Sequence, residues 1–366
     1  MFLFLVLLLL PSGGHPNPEE QVIFDRIAYI SGLKRFIDQS VWKGFGDQKF
    51  DLPLVYYTDR FCYVANPTNK FIASFKPDLV FEGRELKIYK TKLLDSIPFH
   101  METSTTFGDP SSAYNHKSPF MNCSSFEITQ KTIPDVNSTE QWATMVLHEY
   151  FHGFQFKHPA HLAYFGENIA VAADTLHNVY KAHGWFKESV DQENAMLLAA
   201  LDADAADETK IQHLIDSFFL FREQRRRQTE QQLNFDVKQI EQSYETMEGT
   251  ARYAEYSLYG HFAGKNPDGN LLKSDTAYHS YQYFRNHTLE KDKWLYRSEQ
   301  TRYFYATGFN LVRLFEKLKI NYQARLFKEG DLSLEQILAQ HRTKKWGSGR
   351  RVTTPAIRST KKYPGR

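Results

Sequence analysis

The sequence predicts an α+β protein with a β-rich N-terminal lobe followed by a helical lobe, and three observations carry that reading. Short β-branched or aromatic runs, separated by Pro, Gly, Asn and Asp, recur between residues 54 and 128. From Ser138 onward apolar residues recur at helical spacing instead. At the start of that helical part, His148-Glu149-Tyr150-Phe151-His152 sets two imidazoles one turn apart on one helix face with a carboxylate beside them.

In chain order, Met1 to Leu10 is an uninterrupted apolar run closed by Pro11-Ser12-Gly13-Gly14. It is too short to span a bilayer and matches the apolar core and small-residue end of a signal peptide, so residues 1–14 predict export to a secreted or periplasmic location. It lacks the usual basic start, and a short buried N-terminal segment is the alternative. No other segment is apolar enough to span a membrane, and without a nearby Cys there is no lipoprotein signal. Ile23, Ile27, Ile30, Leu33 and Ile37 then predict a helix up to about Phe45. Strands are expected at Leu54–Tyr57, Phe61–Val64, Phe71–Phe75, Leu86–Tyr89 and Ser124–Ile128, completing a lobe over residues 15–137. Ser138-Thr139-Glu140-Gln141 reads as a capping box, and Trp142, Met145, Val146 and Phe156 give its helix a buried side. Further helices are expected at Gln192–Asp202, Ile211–Gln232, Val237–Leu258 and Tyr305–Leu318, within a helical lobe over 138–341.

Composition is that of a globular chain, 42% hydrophobic and 24% charged over 366 residues, with 29 Phe and 21 Tyr. The net charge is +2, but from Arg342 onward there are nine Lys or Arg and no acid. Residues 342–366 therefore read as a disordered basic tail, with no accompanying nucleic-acid fold signature. Arg225-Arg226-Arg227 reads as a solvated helix face. Cys62 and Cys123 are the two cysteines, and export would permit them to pair. Asn122, Asn137 and Asn286 fit the N-glycosylation pattern. Oligomeric state leaves no mark in the sequence.

The chemistry of HExxH follows from helix geometry. Both imidazoles reach one Zn2+ while Glu149 leans toward the metal's water as general base, which implies amide hydrolysis of a peptide or protein substrate. A catalytic zinc usually takes a third protein ligand. One candidate is Glu248, in the downstream helical segment Tyr244 to Glu255, where Glu241, Glu245, Glu248 and Glu255 also form a stripe that would suit a solvated face. The other is His158, at the third-ligand position of the pattern HExxHxxGxxH; there Gln155 replaces the Gly that lets the chain turn sharply, at a backbone cost. His161 reads as a surface or loop histidine.

HExxH followed far downstream by a helical Glu-Gly-x-Ala-x-Tyr segment resembles the gluzincin group of zinc metallopeptidases, of the thermolysin and aminopeptidase type. The resemblance covers the two helices and not the N-terminal strands. It implies a zincin-like fold built on an HExxH active-site helix, with Glu248 completing a His148, His152, Glu248 site. It also implies small Gly249 and Ala251 so that their helix lies close to the HExxH helix, and Glu255 as a partner of a ligating histidine. Thermolysin itself carries Asp four residues after its ligand Glu, where this chain has Arg252, so the groups orienting the ligands must differ. Tyr303-Phe304-Tyr305-Ala306-Thr307-Gly308 resembles the Tyr-x-x-Gly of some aminopeptidase relatives, which marks Tyr305 as the oxyanion donor, with Tyr253 and His279 as lesser options. A secreted binding or structural module with a structural metal, or none, is the reading from another class.

Overall fold

The computed structural model describes residues 16–106, 115–163, 173–264, 267–279, 284–299, 302–330 and 332–347. Residues 1–15, where the export signal is expected, and most of the basic tail lie outside them.

Helix α1 (Pro18–Ser40) begins where Asn17 accepts a hydrogen bond from Glu20 N and Pro18 occupies the first turn, a position that needs no N–H donor. Its apolar stripe, Ile27, Ile30, Leu33 and Ile37, is buried as the spacing predicts. A six-stranded sheet follows, with strands β1 (Leu54–Tyr57), β2 (Phe61–Ala65), β3 (Asp78–Glu82), β4 (Lys87–Lys92), β5 (Met101–Thr106) and β6 (Asn115–Ser124). Their spatial order is β3-β4-β2-β1-β6-β5. Only the β1–β6 pairing is parallel; the other neighbours are antiparallel, so the sheet is mixed and the α+β class holds.

Two expected strands are helices. Phe71–Phe75 falls in α2 (Asn69–Phe75), where the Thr68 hydroxyl accepts from Phe71 N and caps the first turn. In Ser124–Ile128 the strand ends at Ser124, and Ser125 caps α3 (Phe126–Thr132). Strands β3 and β5, and β6 apart from Ser124, were not expected. β3 has no buried position, so it lacks the alternation that reveals a half-buried strand.

Cys62 lies opposite Tyr57 and Cys123 opposite Tyr56, on the two sides of β1. Consecutive strand residues point to opposite faces, so the thiols sit on opposite sides of the sheet, about 10 Å apart across two strand spacings. Both are free and buried, which overturns the disulfide. Asn122 on β6 is 2% exposed and cannot accept a glycan in the folded chain.

The longer helices beyond the sheet are α4 (Thr139–Phe156), α5 (Ala173–Ala182), α6 (Gly184–Asp202), α7 (Glu208–Leu233), α8 (Lys238–Gly264), α9 (Phe304–Leu318) and α10 (Leu334–Trp346). Helix α4 packs on β5 and β6, and α8 is sandwiched between α4 and α9. Buried residues from α1 (Leu33), the sheet (Tyr56), α4 (Phe151), α6 (Leu197), α8 (Leu258), α9 (Leu311) and α10 (Leu338) form one apolar cluster, so sheet and helices share a core. Phe151 packs edge-on against Trp42, and truncating it to Ala costs about 3–5 kcal/mol.

The arginine run is not a solvated face. Arg225 and Arg226 are buried with Arg222 among Glu193, Glu241, Glu245 and Glu335 from α6, α8 and α10. Only Arg227 is on the surface, paired with Glu223. The start of the basic tail is ordered too: Arg342 to Trp346 complete α10, with Arg342 paired to Asp216 and Lys345 to Glu208.

Candidate metal centre

Helix α4 starts where Ser138 Oγ accepts from Gln141 N at 3.2 Å. The reciprocal bond of the expected box is shifted by one residue, since Gln141 Oε1 accepts from Asn137 N. Three turns on, His148 and His152 bring their Nε2 atoms to 3.1 Å of one another. Helix α8 crosses α4 so that Glu248 Oε2 lies 3.3 Å from each of them. A tetrahedral ion with bonds of about 2.0–2.1 Å has ligand edges of about 3.3–3.4 Å, so the three donors sit close to three corners of such a polyhedron. All three residues are buried, and the group could hold a metal ion.

Both imidazoles are oriented from behind. Glu255 Oε2 accepts from His148 Nδ1 at 3.2 Å. Gln155 spends both its N–H bonds on acceptors, Met247 O and Thr250 Oγ1, so its Oε1 faces His152 Nδ1 at 2.9 Å. Each ring therefore carries its proton on Nδ1 and turns an Nε2 lone pair toward Glu248 when neutral. Gln155 was missed as an orienting group. Its position three residues after His152, on the same helix face, was the available signal.

The electrostatics show what the site demands. Burial disfavours charge on His148, yet its hydrogen bonds to Glu248 and Glu255 outweigh this and raise its pKa to about 10. His152 is raised against the same opposition, chiefly by the charge of Glu248. Burial likewise opposes the Glu248 carboxylate, but the facing imidazoles hold it well below the usual range. Three buried or half-buried carboxylates, on Glu149, Glu248 and Glu255, thus draw protons onto the histidines; a bound cation answers the same demand.

A cavity of about 400 Å³ opens beside the donors, and His148, Glu149, Glu255, Tyr305 and Arg252 are among its walls. Burial raises the pKa of Glu149, partly offset by the two imidazoles. Tyr305, on α9, stacks its ring 6.1 Å from that of His148, and its hydroxyl is near enough to Glu248 to feel that carboxylate's charge. Burial and the neighbouring carboxylate push that phenol far up, so it remains a donor. On the opposite side the Thr103 hydroxyl donates to Glu149 O and ties β5 to the motif.

Other candidates fall elsewhere. Helix α4 continues through Gln155 to Phe156 without the sharp turn His158 would need, and His158 instead bonds Phe154 O and stacks on Phe50. His161 is not a surface residue: it is 3% exposed, and burial drives its pKa to about 3. His279 lies near Glu140, by a different cavity at the other end of α4. Tyr253 packs against Phe309. The acidic stripe is not solvated, since Glu241, Glu245, Glu248 and Glu255 are all buried. Gly249 meets the backbone of Gly308 on α9, so the close approach it permits is to the Tyr305 helix and not to the HExxH helix.

Comparison with protein-family models, with curated proteins and with solved structures found no match to this chain.

Proposed function

We propose that this protein is an exported zinc metallopeptidase of gluzincin type with a zincin-like fold, in which His148, His152 and Glu248 hold Zn2+. The observation that carries the proposal is the 3.1–3.3 Å triangle of donor atoms opening onto a cavity beside Glu149. The donor set, two imidazole nitrogens and one carboxylate oxygen, suits zinc and leaves a tetrahedral position over. The apolar run at Met1 to Leu10 adds export to the reading.

Zinc held there supplies Lewis acidity, bringing water toward a neutral pKa and polarising a carbonyl. Glu149 takes the proton as the water oxygen attacks the scissile carbonyl carbon. The same carboxyl group then delivers that proton to the amine nitrogen as the C–N bond breaks. Its burial-raised pKa brings it nearer the range in which a carboxylate is an effective base. Tyr305, kept protonated, offers its O–H to the carbonyl oxygen, where negative charge develops. Glu255 and Gln155 hold the imidazoles in the tautomer that leaves Nε2 free. Glu149→Gln tests the assignment: zinc stays bound while hydrolysis of a mixed peptide library falls on the order of 10²-fold or more. A Gln variant with wild-type turnover contradicts it.

A further inference from the structure

Next to the metal cavity is a second one of about 240 Å³, walled by Arg252, Trp294, Arg297, Arg302, Tyr305 and Ala306. Arg252, Trp294 and Tyr305 line both cavities, so the two adjoin. Among the described residues, three arginines and no acid line this space. Among the described residues none of the three is within ion-pair distance of an acid. This contrasts with the arginines of α7, whose guanidiniums are saturated by glutamates.

Arg252 is fixed in place. Its guanidinium lies 4.5 Å from the Tyr305 ring centre and 4.8 Å from that of Trp294, and one N–H donates to Trp294 O at 3.2 Å. Its Nε–H is buried with no hydrogen-bond partner. Burial lowers its pKa, as for a cation without a counter-ion in contact. A buried unpaired donor of this kind costs stability unless a ligand completes it. Arg297 and Arg302 stand at the open side and are exposed. Of the acids that line the neighbouring cavity, Glu255 binds His148 and Asp292 lies 3.3 Å from His287, while Glu149 and Asp135 face that cavity and are not in the smaller one.

We propose that Arg252, Arg297 and Arg302 form a subsite for a carboxylate of the peptide substrate. This rests on the metallopeptidase reading and adds a substrate class to it. Tyr305 lies between the subsite and the metal donors, so the carboxylate belongs within about three extended residues of the scissile bond. Its source is either the free C-terminus of a short peptide or an acidic side chain, and both meet a guanidinium through the same charge-assisted hydrogen bonds.

Binding to Glu149→Gln protein separates this from catalysis. Isothermal titration compares acetyl-Ala-Phe-Ala-Ala as the free acid, the same peptide as its C-terminal amide, and an amide with Glu at the third position. The expected result is about tenfold tighter binding of at least one carboxylate-bearing peptide than of the neutral amide. The advantage should vanish in Arg297→Gln/Arg302→Gln, two surface changes that leave the core intact. Which acid peptide gains names the source. Equal or undetectable binding of all three, or a preference that survives the double substitution, overturns the subsite. Zinc content of the same preparations separates the two claims: a preference without zinc sinks the metallopeptidase reading alone, and zinc with cleavage but no preference sinks the subsite alone.

Discussion

Gly249 and Gly308 leave no room for a side chain between α8 and α9. A Cβ on Gly249 would lie 2.3 Å from the Gly308 carbonyl carbon, and one on Gly308 would lie 2.2 Å from Glu245 O. The obstructing atoms are backbone, so neither helix can yield locally. The contact sits one residue from Glu248 and three from Tyr305, and it fixes the spacing of the Glu248 carboxylate and the Tyr305 phenol.

Gly308→Ala is therefore expected to cost about 1–3 kcal/mol by overpacking, read from urea unfolding, and to weaken metal binding as α9 is pushed from α8. Unchanged stability and metal affinity would show that the close approach is not needed.

Gln155→Leu removes the acceptor behind His152 and leaves its Nδ1–H without a partner. Metal affinity, measured by competition with a chromophoric chelator, should fall about 10–100-fold. His158→Ala should leave it unchanged, because His158 spends its ring on Phe154 O and Phe50. The reverse pattern would return the third ligand to His158.

The buried arginines provide a stability test. Arg225 is held by Glu193 and Glu241, and Arg225→Met leaves these carboxylates short of a partner, at about 3–5 kcal/mol in chemical unfolding. Tyr303 and Thr307, which flank Tyr305, donate to Glu241 and Glu245 of the same network. The network thus anchors α8 and α9 together, and loss of Arg225 should also lower metal affinity. A loss below 1 kcal/mol would mean the network is not structural.

The same cluster sets a pH dependence. Burial opposes the Glu241 carboxylate, but Arg225 and Arg226 hold its pKa at about 2 against an ordinary 4.5. Because the folded-state value is depressed, its stabilisation is complete above about pH 4.5 and is lost as pH falls from there toward 2. Glu335 is depressed in the same direction, whereas burial pushes Glu245 upward. Wild-type unfolding free energy should fall between pH 5 and 3 more steeply than that of Glu241→Gln. Parallel slopes would remove Glu241 from the account.

Much of this was legible in the sequence because it is local. Helical spacing placed α1, α4 and α8, and HExxH with Glu248 named residues that the structure brings together at 3.1–3.3 Å. What escaped depends on partners distant in sequence. Arg225 reads as a surface cation until α6 and α8 bring Glu193 and Glu241 to it. Gly249 has no visible target until α9 supplies Gly308. The error at Phe71–Phe75 had another cause: an aromatic, β-branched run outweighed the Thr68 cap in the reading, while the cap governs the backbone.

The most direct measurement is metal content by mass spectrometry for wild type and Glu248→Ala, alongside chelator-sensitive cleavage of a peptide library. The account predicts about one zinc per wild-type chain, with zinc and cleavage both lost in the variant. A wild-type protein that binds no zinc, or a variant that retains zinc and activity, would contradict it.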